Sequence, residues 1–235
     1  MQRCVDMIQH DAALQKLPVR FCMDRAGLSP DDGPTHHGLY DIAMMRCIPG
    51  LIMMQPKDEA ELCHMLATMN GIDNCPSAIR YPRGEGEGVQ MPEHPHPLPI
   101  GKAEILREQT GSCITLVALG NQNSTAAKVA ELLREQGVES THINARFVKP
   151  LDADCLLAHA GGNTRLVVTL EDHCITGGFG SAVLELFNST GTTTPLLRIG
   201  WPDAFIGHGK DSQLRARHGL TPEAIAERIL ARLRG

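Results

Sequence analysis

Apolar and polar positions alternate in short runs along this chain, and the runs predict a succession of helices and strands. Val5, Ile8, Ala12 and Leu14 recur against Asp6, Gln9, His10, Asp11 and Gln15, which predicts an amphipathic helix over 3–16. The run Leu17-Pro18-Val19-Arg20-Phe21-Cys22-Met23 reads as a strand that opens into a Gly- and Pro-punctuated loop over 24–38. A short helix over 40–46 ends before Pro49, and Leu51–Met54 is a buried strand. Pro56-Lys57-Asp58-Glu59 opens a helix over 57–70, with Pro and acids where the helix dipole favours them. Ser77–Tyr81 is the next strand. Strands separated by helices are the pattern of a parallel sheet.

Residues 84–100 interrupt that pattern. Gly84-Glu85-Gly86-Glu87-Gly88 is followed by Pro92, Pro95, Pro97 and Pro99, a stiff, extended linker and the best domain boundary in the chain. A second run follows: strand 113–120, helix 124–136 with Ser124 at its cap position, strand 138–143, helix 152–160 and strand 166–170. Gly177-Gly178-Phe179-Gly180 opens a helix to about 188, 196–199 is a strand, and 222–233 closes the chain. The expected architecture is therefore α/β in two domains, 1–84 and 101–235, joined by 85–100.

Composition narrows the function classes. Of 235 residues 42% are hydrophobic but only 3% aromatic, so the cores are aliphatic and draw on 10 Met. A net charge of -5, with scattered basic residues, argues against a nucleic-acid or anionic-membrane surface. No apolar run approaches the ~20 residues that span a bilayer, and the opening residues do not form a signal peptide, so a cytoplasmic protein is expected. The 8 Cys are dispersed without C-x-x-C spacing, several of them inside apolar segments (Cys22, Cys63, Cys113, Cys155), and read as buried reduced thiols. No metal site is expected.

The loop at 24–38 concentrates reactive types: Asp24, Arg25, Asp32, His36 and His37 lie within fifteen positions at the expected C-terminal end of a strand, where open α/β sheets bind ligands. Guanidinium and imidazole suit an anionic substrate and proton transfer near neutral pH. The plainer alternative is a solvated turn. Two other patterns mislead. Asp31-Asp32-Gly33 imitates a metal anchor of thiamine diphosphate enzymes, but no Asn follows at the required spacing. Gly177-Gly178-Phe179-Gly180 is not G-x-G-x-x-G and reads better as tight helix-to-sheet packing.

Six motifs then recur in order: Arg25-Ala26-Gly27, Asp32-Gly33-x-Thr35-His36-x-Gly38, Arg46-Cys47-Ile48-Pro49, Arg80-Tyr81-Pro82-Arg83-Gly84, Pro99-Ile100-Gly101-Lys102 and Arg146-Phe147-Val148-Lys149-Pro150-Leu151-Asp152. Together they resemble the 1-deoxy-D-xylulose-5-phosphate synthases of the transketolase superfamily. The match is to the latter part of the pyrimidine-binding domain plus the transketolase C-terminal domain. The resemblance implies thiamine diphosphate and Mg2+ as cofactors, and pyruvate and glyceraldehyde 3-phosphate as substrates. It implies that Arg25 and Arg83 grip the substrate phosphate, that His36 acts at the reacting carbonyl, and that Asp32 holds substrate hydroxyls or orients the histidine. It places Arg3, of the pair Gln2-Arg3, on the substrate channel. The plainer alternatives are an ion pair of Arg83 with Glu85 or Glu87, and of Arg25 with Asp24 or Asp31. For His37 the expectation is an exposed loop imidazole. His208 and the Glu171-Asp172-His173 run carry no assigned chemistry, the acids reading as helix-cap or interface groups.

The departures shape the functional expectation. The family's diphosphate-and-magnesium domain, the glutamate that activates the aminopyrimidine ring and the aromatic platform for that ring are not in this sequence. The opening helix also starts without a cap, as though an N-terminal portion were missing. A synthase portion inactive alone is the first expectation, with a homodimer or a completing N-terminal partner. The others are a subunit of a split enzyme and a non-catalytic module binding a phosphometabolite or a protein. An open sheet edge and apolar faces are expected near residues 1–25.

Overall fold

A computed structural model of the protein describes residues 2–109 and 111–234. The chain opens as a continuous helical segment: a 3-10 turn Gln2–Cys4, one α-turn α1 (Val5–Met7) and a wider π-turn stretch Ile8–Ala13. In the wide part Leu14 and Leu17 donate to carbonyls five residues back, at 2.9 Å each. Ile8 and Ala12 are its buried positions.

Four strands form the first sheet. β1 (Arg20–Met23) leads to α2 (Asp41–Met45), β2 (Ile52–Met54), α3 (Glu59–Asn70) and β3 (Ser77–Arg80). β4 (Glu104–Arg107), β5 (Ile114–Ala118), α4 (Gln122–Glu135) and β6 (Ser140–Asn144) follow. β7 (Phe147–Lys149) then pairs antiparallel with β2, so the sheet order is β1-β3-β2-β7 and the C-terminal half of the chain supplies one edge. β1, β3 and β2 are parallel, with Cys22 opposite Ile79 and Met53 opposite Ala78.

The second sheet runs β4-β6-β5-β8-β9. It uses α5 (Ala153–Ala160), β8 (Leu166–Cys174), α6 (Phe179–Thr190) and β9 (Leu196–Trp201), and the chain ends in α7 (Asp211–Arg217) and α8 (Pro222–Arg234). β4 alone is antiparallel to its neighbour. Ile114, Leu116, Val168, Ile225 and Ile229 are part of one core. A second core joins the halves, packing Ile42, Met45 and Met53 with Val117, Ile143, Phe179 and Val183. None of the helices among the described residues is long and apolar enough to cross a membrane.

Local rules account for most element ends. Asp58 caps α3 by accepting the Glu61 amide at 2.7 Å, and Glu61 reaches back to the Lys57 amide at 2.7 Å, a near capping box. Asp152 caps α5 through the Cys155 amide. α4 differs from expectation: it starts at Gln122 with Asn121 as its cap residue, and Ser124 lies in the first turn, donating to the Asn121 carbonyl at 3.1 Å. The cysteines also depart from expectation. All eight are free, but Cys4, Cys22 and Cys47 are exposed, Cys63, Cys75, Cys113 and Cys155 half-buried, and only Cys174 is buried. β1 is an edge strand, so its alternation turns Cys22 outward while Met23 enters the core.

Candidate functional site

β1 and β3 are neighbouring parallel strands, so the residues just beyond their C-terminal ends meet. Beyond β1, Arg25 takes a left-handed backbone (φ 58°) and turns the chain into the loop. Gly27 and Gly38 exchange backbone hydrogen bonds at 2.9 and 2.8 Å and pinch the loop at its neck. Only glycine fits there: a Cβ on Gly38 would lie 2.2 Å from the Arg25 carbonyl oxygen, and one on Gly27 would lie 2.3 Å from Asp172 Oδ2. Within the loop, Asp32 and Gly33 donate to the Ser29 carbonyl and His36 donates to Gly33.

Asp32 is the focus of the loop. Arg83 Nη1, arriving from β3, donates to Asp32 Oδ2, and Arg25 Nε stands 3.5 Å from the same oxygen. Arg25 Nη1 also donates to Asp24 at 2.7 Å. The Arg83 hydrogen bond, seconded by Arg25, holds the Asp32 carboxyl below its ordinary value. Arg83 does not pair with Glu85 or Glu87, as one alternative held. The Arg25–Asp24 contact of the other alternative is made, together with the contact to Asp32. His36 is exposed and its Nδ1 lies 3.0 Å from Thr35 Oγ1. No hydrogen bond or ion pair joins it to Asp32 among the described residues; the Asp32 carboxylate meets the two arginines. Arg3 is exposed in the first turn, away from this cluster's hydrogen bonds.

His37 corrects the sequence reading most clearly. It is buried, not an exposed imidazole: its Nδ1 accepts the Ser29 amide at 3.0 Å and its Nε2 donates to the Ile206 carbonyl at 3.1 Å. The side chain clamps the loop to the segment before α7. Gly209 adds a bond to the Pro30 carbonyl, and a Cβ added at Gly33 would lie 3.3 Å from the His208 Cβ.

A cleft of about 520 Å³ lies beside this cluster, lined by Leu28, Lys57, Glu59, Arg83, Asp172 and Arg215 among others. Of the expected site residues only Arg83 lines it. The strand-end segment after Arg83 is held by Glu59, whose carboxylate accepts the amides of Glu87, Gly88 and Val89 at 3.0, 2.7 and 3.1 Å. Its own amide and these three keep the Glu59 carboxyl below its ordinary value. A charge-assisted bond at the lower end of its range is worth about 1.5 kcal/mol, roughly tenfold in an equilibrium. Glu59→Ala is therefore expected to speed amide exchange at Glu87, Gly88 and Val89 by about tenfold or more, while the β5 amides stay unchanged.

Beneath the loop lies a buried polar network that sequence reasoning missed. Arg80 is fully buried; it forks onto Asp41 at 2.8 and 3.1 Å and donates to Gln55 and to the Gly38 carbonyl. Asp172 accepts Trp201 Nε1 at 2.6 Å, Asn121 at 3.1 Å and Arg215 at 3.0 Å. Burial alone would raise the Asp172 carboxyl, but Arg215, Trp201 and Asn121 together hold it low. A second cluster ties the halves: Glu61 accepts Arg146 Nε at 2.7 Å and Asn144 at 3.0 Å, and Glu104 accepts Lys57 at 3.0 Å. The available signal was a charge inside an apolar strand, as at Arg80 between Ile79 and Tyr81, because a buried charge demands a partner.

Glu171 caps α6 from a distance, accepting the Phe179 and Gly180 amides at 2.6 and 2.9 Å. Burial raises its carboxyl to about 7, against the pull of those amides. Burial lowers His142 and His173 to about 4. The signs oppose one another. Glu171, raised when folded, contributes stability that is full below about 4.5 and is lost as pH rises through about 7. The two histidines, lowered when folded, contribute stability that is full above about 6.5 and is lost as pH falls through about 4. Glu171→Gln is expected to lose the first effect only. In urea titrations its stability relative to the native protein should rise from pH 5 to about pH 7 and level off above it, and a pH-independent difference would contradict the assignment.

The family model of the transketolase pyrimidine binding domain matches residues 1–88, and that of the transketolase C-terminal domain matches residues 101–225. The chain belongs to the transketolase family. It is 52% identical over 229 residues to the 1-deoxy-D-xylulose-5-phosphate synthase of Acidobacterium capsulatum, covering 97% of this chain and 36% of that protein. It is 49% identical over 231 residues to the synthase of the same name from Thermomicrobium roseum, again 36% of its length. The chain thus spans about a third of the curated relatives it matches. Among solved structures it resembles a "split gene transketolase, inactive beta4 tetramer" with TM-score 0.84 and 28% identity, over 96% of this chain and 70% of that one. The fold is shared with the transketolase of Campylobacter jejuni, TM-score 0.71 at 20% identity over 94% of this chain and 32% of that one.

Transketolase-family domains imply thiamine diphosphate. Among the described residues no group of three or more His, Cys, Asp and Glu is placed to hold a metal ion. Four acids of the cleft are engaged, Asp58 on the Glu61 amide, Glu59 on three amides, and Asp172 and Asp211 on Arg215, while Glu85 and Glu87 also line it and are exposed.

Proposed function

We propose that this chain is the phosphate-gripping and C-terminal portion of a 1-deoxy-D-xylulose-5-phosphate synthase. In that reaction pyruvate and glyceraldehyde 3-phosphate give 1-deoxyxylulose 5-phosphate and carbon dioxide, a precursor for isoprenoid, thiamine and pyridoxal synthesis. One observation carries the reading: Arg25 and Arg83, from two different strand ends, converge on the single carboxylate of Asp32. Two guanidiniums held together by an exchangeable anion are suited to take a phosphate dianion. His36, exposed in the same turn, is within the loop that would face the reacting carbonyl, where it holds or moves a proton. Arg3 lines the approach of the substrate.

The reading places the cofactor and its Mg2+ on residues outside this chain, and the chain alone is inactive. It takes 1–84 and 101–235 as two domains joined by 85–100, working in the cytoplasm as a homodimer or with a partner. The likeness to a split-gene transketolase favours one further reading, that the chain is a subunit completed by a separate polypeptide. The test is turnover of pyruvate and glyceraldehyde 3-phosphate with thiamine diphosphate and Mg2+. The chain is assayed alone and then with the N-terminal portion of the Acidobacterium capsulatum synthase. Silence alone, activity on complementation and a loss of about 10²-fold or more in His36→Ala are expected. Activity of the chain alone would overturn the assignment of the cofactor to another chain. Silence in both mixtures would point to a binding module.

A further inference from the structure

The loop at 24–38 has two sides. Asp32 and His36 are exposed and Arg25 half-buried, whereas Leu28, Ser29, Gly33, His37 and the following Leu39 are buried. Leu28 and Leu39 share the core of the second sheet with Trp201, Ile206 and Leu214, although the first sheet leads into the loop. The buried side is zipped to the segment 204–209, and the two run antiparallel. Tyr40 Oη donates to the Ala204 carbonyl at 3.3 Å, His37 Nε2 to the Ile206 carbonyl at 3.1 Å, and the Gly209 amide to the Pro30 carbonyl at 3.1 Å. Between the last two rungs Gly33 faces His208, where an added Cβ would lie 3.3 Å from the His208 Cβ. His37 is the rung whose bonds continue to the candidate site. The Ser29 amide can only donate, so Nδ1 accepts it and Nε2 carries the proton that goes to Ile206. Ser29 in turn offers its carbonyl to the Asp32 and Gly33 amides at 3.2 Å each, and the Gly33 carbonyl accepts the His36 amide at 3.0 Å. A continuous series of hydrogen bonds thus runs from Ile206 to the backbone of Asp32 and of His36.

We propose that His37 is a positioning residue: as the central rung of the zipper with 204–209, it holds Asp32 against Arg25 and Arg83 and holds His36 in place for the reaction. This inference rests on the reading of the loop as the site of the phosphorylated substrate. The neck is fixed separately, by the mutual bonds of Gly27 and Gly38 and by Arg80 on the Gly38 carbonyl. Within the tip, the backbone bonds of Asp32, Gly33 and His36 are local turns, which set its shape but not its placement. Placement matters because Arg83 comes from a different element, the end of β3. Hydrogen bonds weaken steeply once their geometry slips, and working sites hold their groups within roughly 0.5 Å. Of the ties from the tip to 204–209, the one through His37 is made by a buried side chain. The C-terminal half of the chain thereby sets the substrate loop of the first half.

Two amide side chains separate the tie from the volume it fills. Gln offers an acceptor and a donor at about the reach of the ring, whereas Asn offers the same pair on a shorter stem and cannot span from Ser29 to Ile206. Amide exchange and the NMR titration of the Asp32 carboxyl are read on the chain itself. The constants kcat and KM are read after mixing with the N-terminal portion of the Acidobacterium capsulatum synthase. His37→Asn is expected to speed exchange at Asp32, Gly33 and His36 by about tenfold or more, with the β5 amides unchanged. The Asp32 carboxyl, held low by Arg83 and Arg25, should move up toward its ordinary value. In the mixture kcat should fall and KM for glyceraldehyde 3-phosphate rise, each by about tenfold, with KM for pyruvate within about twofold. His37→Gln should bring every readout back to within about threefold of native. Tyr40→Phe removes the neighbouring rung without leaving a buried group unpaired, so it serves if the Asn variant does not fold. It should move the same readouts the same way by about threefold. A lower thermal midpoint with the Asp32 titration unmoved, or a Gln variant no better than Asn, overturns the proposal. Turnover with unmoved loop readouts also overturns it and leaves the reaction reading standing. A silent native mixture whose loop readouts respond as stated upholds the hold of His37 on Asp32 and counts against the reaction.

Discussion

Arg80→Met is expected to destabilise the protein by about 3–5 kcal/mol, the cost of leaving one partner of a buried ion pair uncompensated. The guanidinium is fully buried and satisfies Asp41, Gln55 and the Gly38 carbonyl together. Methionine fills much of the volume but donates nothing, so the Asp41 carboxylate, Gln55 Oε1 and the loop neck all lose their partner. In a chain of this size each kcal/mol moves the thermal midpoint by about 2–4 °C, so a fall of roughly 6–20 °C should be seen by calorimetry. Asp41→Asn in the same background removes the orphaned charge and should recover part of the loss. The double variant would then be less destabilised than the sum of the singles, the sign of direct coupling. A loss below about 1 kcal/mol for Arg80→Met would show that water reaches Asp41 and that the network is not a keystone.

Arg80 also shows where the sequence was legible and where it stopped. Periodicity located β1, β2, β3, α3 and α5, because each has a buried face or an apolar run bounded by turn residues, as Asp58 and Gly71 bound α3. It also located the loop at 24–38, whose composition is local. It ended β8 at Leu170, yet the strand continues through Glu171, Asp172 and His173 with every position buried. Those three are tolerated inside because their partners arrive from elsewhere: the α6 amides for Glu171, Trp201 and Arg215 for Asp172, the Ala43 and Cys174 backbone for His173. His37 was misjudged for the same reason, since its acceptor on Ile206 lies 169 positions away. β4, β7 and α7 were missed because each is short, and pairing or packing outside the segment defines it. The open β1 edge was legible in outline, as an exposed edge near residues 1–25. Which of its groups face outward needed the register with β3.

The largest effect expected at the candidate site itself is on recognition of the phosphorylated substrate. Arg83→Ala, in the complemented enzyme, should raise KM for glyceraldehyde 3-phosphate by about 10- to 100-fold, from the loss of about 1.5–3 kcal/mol in bonds to a charged group. KM for pyruvate should be unchanged, because pyruvate carries no phosphate to engage the pair. Arg25→Ala should act in the same direction. The two will not add fully, since both guanidiniums bear on one oxygen of Asp32 and removing either already loosens the other. Arg83→Lys should restore only part of the effect, because an ammonium supplies charge without the planar fork. Arg83 and Arg25 are both about half-exposed, so salt should erode the discrimination: the native advantage over Arg83→Ala shrinks as ionic strength rises. Were Arg83 only ordering the loop through Asp32, KM for both substrates would move together and Asp32→Ala would reproduce the loss. A selective rise for the phosphorylated substrate alone makes the two arginines its phosphate ligands, and Asp32 the anion that keeps them paired until it arrives.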